Sequence, residues 1–157
     1  MLKKYILIFL VSMVPLIELR GAIPMAVTMD LNYWQSMVIC VIGNMLPVPI
    51  IYFFARKVLV WGCDKPYIGK FFSYCIEKGH NGGQRLVAKT GRGGLFVALL
   101  LFVGIPLPGT GAWTGTLAAS FLNMGIKSTT AAVSLGVILA GFIMGAVSYT
   151  GIHVFGL

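Results

Sequence analysis

Val14-Pro15-Leu16-Ile17-Glu18-Leu19-Arg20-Gly21-Ala22-Ile23-Pro24 and Ile105-Pro106-Leu107-Pro108-Gly109-Thr110-Gly111-Ala112-Trp113-Thr114-Gly115 interrupt two apolar runs in the same way. The first run extends from Tyr5 to Met29 and the second from Leu95 to Leu122. In each, prolines, glycines and polar side chains divide two apolar arms of roughly ten residues, and an arm of that length makes a helix of only about 15 Å, half a bilayer. Each run therefore reads as a re-entrant helical hairpin that enters to the membrane midplane and returns. Irregular backbone is tolerated at that depth only where protein or a water-filled cavity satisfies it.

Working outward, a second type of block follows each break. Tyr33 to Ala55 and about Thr130 to Val154 are continuous and apolar. Each is about 23–25 residues, enough for a helix to cross about 30 Å of hydrocarbon. Tyr33 and Trp34 open the first of these as an interfacial belt would, and Arg56-Lys57 close it. Pro47 and Pro49 should kink it. Gly141 and Gly145 form a GxxxG in the other, which suits close helix packing within the chain or between two copies. Composition agrees with a membrane chain. Of 157 residues 58% are apolar or aromatic and 10% charged, against about 25% charged in soluble domains, and mean hydropathy is +0.91.

Val14-Pro15-Leu16 and Ile105-Pro106-Leu107 stand 91 residues apart, and each is followed by a long apolar block. A hairpin returns to its own side and the next helix crosses, so two such units in series must have opposite orientations. The expected fold is thus an all-α integral membrane protein, an inverted repeat of hairpin plus transmembrane helix, as in many transporters. One membrane domain covers 1–157. Repeat 1 takes about 5–57, a basic connector about 58–92, and repeat 2 about 93–155.

The net charge of +8 is concentrated between Arg56 and Arg92, which hold eight basic and two acidic residues. A basic stretch between apolar runs reads as a cytoplasmic loop near anionic headgroups rather than a nucleic-acid site. Within it, Ile68, Phe71, Phe72, Cys75 and Ile76 fall at helical spacing beside Lys70, Glu77 and Lys78. That pattern predicts an amphipathic helix in the interface, or an ordinary connecting helix. Gly79 to Gly83 reads as a flexible loop. Hairpins would put both termini outside and strand Lys3 and Lys4 on the wrong side. Four kinked spans would put the termini inside, and charge counting slightly favours them. The like chemistry of the two breaks favours hairpins. Lys3-Lys4 and the following apolar residues have a signal-peptide profile, but no small-residue cleavage site follows, so the segment is expected in the mature chain.

Glu18 and Arg20 are the charged residues that lie inside an apolar block, where each costs at least ~2.5 kcal/mol. At i, i+2 they would diverge on a regular helix, but an unwound turn lets them converge, either as a site or as a structural pair. Glu18 is the candidate for taking up and releasing protons. Half-helices should begin near Gly21 and near Gly111-Ala112, aiming free N–H groups and positive dipole ends at the midplane. Gly109, Thr110 and Gly111 can wrap N–H groups round an anion, and Thr110 and Thr114 add hydroxyls. With Arg20 and Gly21 alongside, the constellation suits a carboxylate or phosphate. Asn44, in mid-span, lines the path or is a satisfied structural amide. Trp113 packs near the site or in the core.

No nucleophile motif, P-loop or carboxylate pair points to an enzyme. His80 and His153 have no partners at ligand spacing, and Cys40, Cys63 and Cys75 include no CxxC, so no metal, cofactor or disulfide is expected.

Glu18-Leu19-Arg20-Gly21-Ala22-Ile23-Pro24 together with Pro106 to Gly115 resembles the family of small multidrug export proteins over nearly the whole chain. That family is similar to the DedA, or VTT-domain, membrane proteins. The resemblance implies paired re-entrant hairpins in an inverted repeat and movement of undecaprenyl phosphate or other lipids. It matches Glu18 and Arg20 to the acidic and basic positions of the first hairpin. The second turn here, Gly109-Thr110-Gly111, lacks the charge common in DedA proteins. The expected function is secondary transport, proton-coupled, of a small anionic or lipid-linked phosphate substrate across the cell membrane. An exporter of cationic or amphipathic drugs, a lipid scramblase and a non-transporting scaffold are the alternatives. The bilayer is the expected partner, and a homodimer is compatible with so small a bundle.

Overall fold

Two prolines fix where the first arms stop. Pro15 and Pro106 each follow a helix by two residues: α1 (Leu2–Met13) ends before the first, and α5 (Gly69–Gly104) before the second. The residue before a proline is pushed out of the α region, and Val14 is extended accordingly, with φ −72° and ψ 128°. After the breaks come α2 (Glu18–Thr28) and α6 (Ala112–Phe121). The remaining elements are α3 (Tyr33–Met45), α4 (Pro47–Cys63) and α7 (Ile126–Phe155). This computed structural model describes residues 1–15, 17–64, 69–107 and 109–155, and among them every regular element is a helix.

Among the described residues two helices are long and apolar enough to cross a membrane, Tyr33–Cys63 and Ile126–Gly151. The first is α3 and α4 in series. They part at Leu46, with Pro47 in the opening turn of α4 where its missing N–H costs nothing. Asn32 caps the entry, its side chain accepting from the Gln35 N–H at 3.2 Å.

Contacts along the helices give their directions. Tyr5 donates to the Gln35 side chain, the Cys40 thiol reaches the Ile8 carbonyl, and Gly43 faces Ser12 and Phe9, so α1 runs parallel to α3. Lys4 donates to the Met29 carbonyl at 2.9 Å, which brings the start of α1 beside the end of α2. Gly115 faces Val103 and Leu99, while Leu95 shares a cavity wall with Leu122, so α6 likewise runs back along the last arm of α5. Tyr33 donates to the Gly141 carbonyl at 3.0 Å, and Ser134 meets the Met45 sulfur, so α3 and α7 are antiparallel.

Glycines on α7 allow this close packing. A Cβ at Gly136 would lie 2.8 Å from the Leu100 carbonyl oxygen and from Val103. Gly141 faces Met37 and Leu19, and Gly145 lies under the Tyr33 ring. The GxxxG is therefore used within the chain.

α2 and α6 end identically. Asp30 and Asn123 adopt left-handed φ of 58° and 56°. The Leu31 N–H bonds to the Ala26 carbonyl and the Met124 N–H to the Ala119 carbonyl, each at 3.0 Å, which is the Schellman closure. All these pairs stand 93 residues apart, as do Tyr33 and Ile126, the first residues of α3 and α7.

Three expectations need correction. The structural offset between the halves is 93 residues, not 91, because the proline tripeptides are displaced by two positions relative to the helices that follow. The second half-helix begins as expected at Ala112, but the first begins at Glu18, so Gly21 lies in its first turn and Pro24 within it. Gly79 to Gly83 is helical, not a loop. Glycine costs about 1 kcal/mol in a helix but ends one only where it takes up a non-helical conformation, and α5 breaks instead at Gly91, with φ 72° and ψ 177°. The side chains of Phe71, Phe72, Cys75 and Ile76, on which the amphipathic reading rests, lie outside the described residues, as do Ile68, Leu16 and Pro108 and the side chains of Lys78, His80 and His153.

Candidate functional site

The polar groups of the two breaks meet. α6 opens with Ala112 and Trp113, whose N–H groups have no carbonyl partner within their own helix. Its N-cap is Gly111, which offers no side chain. The cap comes from the other half of the chain. The Glu18 carboxylate accepts from the Ala112 N–H at 3.2 Å and from the Trp113 N–H at 3.0 Å. A carboxylate there also lies at the positive end of the α6 dipole. Glu18 is 5% exposed, so its charge is compensated by these donors rather than by bulk water.

Glycine is required at 111 on two grounds. Its φ is 156°, and a Cβ there would collide with the Glu18 carboxylate. Glu18 itself has φ 50°, which for a residue with a Cβ costs on the order of 1 kcal/mol or more and persists where surrounding contacts dictate it.

Arg20 leaves the same turn in another direction. Its Nη1 donates to the Leu107 carbonyl, and its Nη2 donates to Thr110 Oγ1 at 2.8 Å. Thr110 Oγ1 also lies 2.9 Å from the Ile105 and Leu107 carbonyl oxygens. These carbonyls follow the C-terminal end of α5, where the dipole is negative. The acid of the first break thus sits at a helix start in the second, and the base sits just past a helix end. A further link runs between the halves, since the Trp113 indole donates to the Met13 carbonyl at 3.2 Å.

Of the residues expected at a site, Glu18, Arg20, Thr110 and Gly111 are brought together. Gly109, with φ 83°, turns the chain between Leu107 and Thr110. Gly21, in the first turn of α2, packs on Ile17. Thr114 turns its hydroxyl back to the Gly111 carbonyl at 3.4 Å. Asn44 is 2% exposed, and its side-chain oxygen has no partner among the described residues. Sequence reasoning expected free N–H groups where α6 begins but missed that Glu18 takes them, and it missed the Leu107 carbonyl as a partner of Arg20. Trp113 carried one available signal, its position as the second residue after a glycine N-cap.

The N–H groups expected to receive an anion therefore hold the chain's own carboxylate. Chemically the arrangement is an anion seat with an internal occupant and a guanidinium nearby. An apolar cavity of about 270 Å³ adjoins it, lined by Ile51, Phe54, Val58, Trp113, Leu117 and Phe121 among others.

Comparison with curated proteins and with solved structures found no match. A family model does match, over residues 18–143, from Glu18 through both breaks and into α7. Its description is that of an export protein rather than an enzyme, and with the two apolar helices it makes this a membrane protein. The chain belongs to the small multi-drug export protein family.

Proposed function

We propose that the chain is a multi-pass secondary transporter of the cell membrane, built as an inverted repeat of two re-entrant hairpins whose tips meet at the midplane. The 93-residue offset and the antiparallel α3 and α7 support the inversion, because each span starts from the open end of its own hairpin. The basic connector faces the cytoplasm. The substrate is a small anion or a lipid-linked phosphate, moved with a proton.

One observation carries this reading: Glu18 occupies the N–H groups of Ala112 and Trp113. A substrate anion must compete with it for that seat. Protonating Glu18 removes the competing charge, and the freed N–H groups and Arg20 then serve the substrate. The proton travels on Glu18 and the anion on α6, and return of the carboxylate expels the anion. Gly111 gives the backbone approach that both occupants need.

A second reading, export of lipophilic cations, is favoured by the apolar cavity beside Trp113 and by the family description. In it Glu18 leaves α6 to become the counter-charge. Ligand-induced thermal stabilisation separates the two. The purified protein is titrated with undecaprenyl phosphate and small carboxylates, and separately with tetraphenylphosphonium. Under the first reading Glu18→Gln binds the anion more tightly than wild type near neutral pH, by about tenfold if one carboxylate charge is removed from the seat, and with flattened pH dependence. Arg20→Ala loses anion binding. Stabilisation by the cation alone, abolished in Glu18→Gln, would overturn it in favour of the second.

A further inference from the structure

A larger cavity, of about 700 Å³, lies at the other end of the α5–α6 pair. The turn joining α6 to α7, with Asn123, and the first turn of α7, with Lys127 and Ser128, form one wall, and α5 forms the other, with Arg92. Leu95, on the α5 wall, and Leu122, on the other, add apolar surface. The volume is that of a small-molecule site.

Its charge is unbalanced. None of the described residues lining it is acidic, and neither Arg92 nor Lys127 has an acceptor among the described residues. The two cations come from segments 35 positions apart in the chain, yet both face one space. The first turn of α7 contains no acid either. Two like charges converging on a cavity favour an anion between them. The location narrows the chemistry. Lys127 is the second residue of the candidate span Ile126–Gly151, so the cavity stands where a membrane surface would meet that helix. Two cations and two leucines lining one cavity match a phosphate group attached to hydrocarbon.

We infer that this cavity, formed by Arg92, Lys127, Asn123 and Ser128 over Leu95 and Leu122, binds a phosphate group, either the headgroup of an anionic phospholipid or free phosphate. It is separate from the Glu18–Arg20 cluster and does not depend on the transport reading. Occupied by a lipid, it would tie the open end of the second helix pair to the membrane surface.

The test is thermal stability of the full chain in neutral detergent, titrated with dioleoylphosphatidylglycerol, with dioleoylphosphatidylcholine, and with inorganic phosphate against chloride at equal ionic strength. Phosphatidylglycerol is expected to stabilise the wild type saturably and beyond phosphatidylcholine. The Arg92→Gln/Lys127→Gln double variant should bind it about tenfold more weakly or worse. Arg56→Gln/Lys57→Gln, which removes the same charge elsewhere, should match wild type. Ser128→Phe, which fills the cavity with no change of charge, should also lose binding. The same pattern with inorganic phosphate but not with the lipid would assign the site to free phosphate. Equal weakening in both double variants, or no stabilisation beyond phosphatidylcholine and chloride, would overturn the site. All four substituted cations are exposed, so the variants are expected to fold.

Discussion

The first break carries its polar groups on charged side chains, and the second carries them on the main chain and the Thr110 hydroxyl. Glu18 and Arg20 are charged, whereas Gly109, Thr110 and Gly111 are not, and their main chain presents donors at one end and carbonyls at the other. At the 93-residue offset Glu18 corresponds to Gly111, and the carboxylate of one fills the space that the other leaves by having no side chain. Two identical breaks could not do this, since a pair of carboxylates would repel and a pair of bare turns would leave both helix ends uncapped. The lack of charge in the second turn is therefore the complement of the charge in the first.

The sharpest way to break this comparison is to give the second tip a side chain. Gly111→Ala places a Cβ against the Glu18 carboxylate at a φ that alanine rarely adopts. The strain and the displaced charge-assisted bonds together should cost about 3 kcal/mol or more. Gly109→Ala is the control. It too has positive φ, but nothing lies within 4 Å of its Cβ, so it should cost about 1 kcal/mol. Unfolding in graded denaturing detergent compares them, and equal losses would mean that the fit between Glu18 and Gly111 is not what holds the tips together.

A smaller effect tests the other charge. Arg20→Lys keeps the cation but cannot reach the Leu107 carbonyl and Thr110 Oγ1 with two planar donors. A loss of about 1.5–3 kcal/mol is expected from one charge-assisted bond. In Thr110→Val the partner is already gone, so Arg20→Lys should cost less there by about 1 kcal/mol. Additive losses in that double-mutant cycle would separate Arg20 from the second tip.

Much of the architecture was legible because hydrophobic length and proline position act locally. The ends of α1 and α5 before Pro15 and Pro106 can be read residue by residue, and α3–α4 and α7 fall where the long runs lie. The site was legible only by halves. Glu18 and Arg20 announce themselves as charges in an apolar block, and Gly111-Ala112 announces a helix start. That one half would seat the other was hidden, because the receiving groups are N–H and C=O groups that every residue carries. The loop read at Gly79 to Gly83 failed for a related reason. Glycine permits a break without dictating one, and among the described residues of α5 the break falls at Gly91. The pairing of Arg92 with Lys127 round one cavity likewise depends on α5 and α7 becoming neighbours, which no local pattern encodes.

The smallest expected effect concerns a link between the breaks that uses no charge. Trp113 contributes twice, its main-chain N–H to Glu18 and its indole N–H to the Met13 carbonyl at the end of α1. Trp113→Phe removes only the second. The Met13 carbonyl belongs to the last turn of α1, where carbonyls lack helical partners, and Pro15 follows, so no amide from that residue can take the indole's place. The loss should therefore be that of one neutral hydrogen bond plus some apolar area, about 1–2 kcal/mol. The main-chain bond to Glu18 should survive, so anion binding in the thermal-shift assay should change little. A Trp113→Phe variant that lost stability no more than a surface substitution would show the indole bond to be dispensable and leave the charges of the first break as the whole of the clamp. One that also lost anion binding would place the indole in the substrate's path, beside the apolar cavity that it lines.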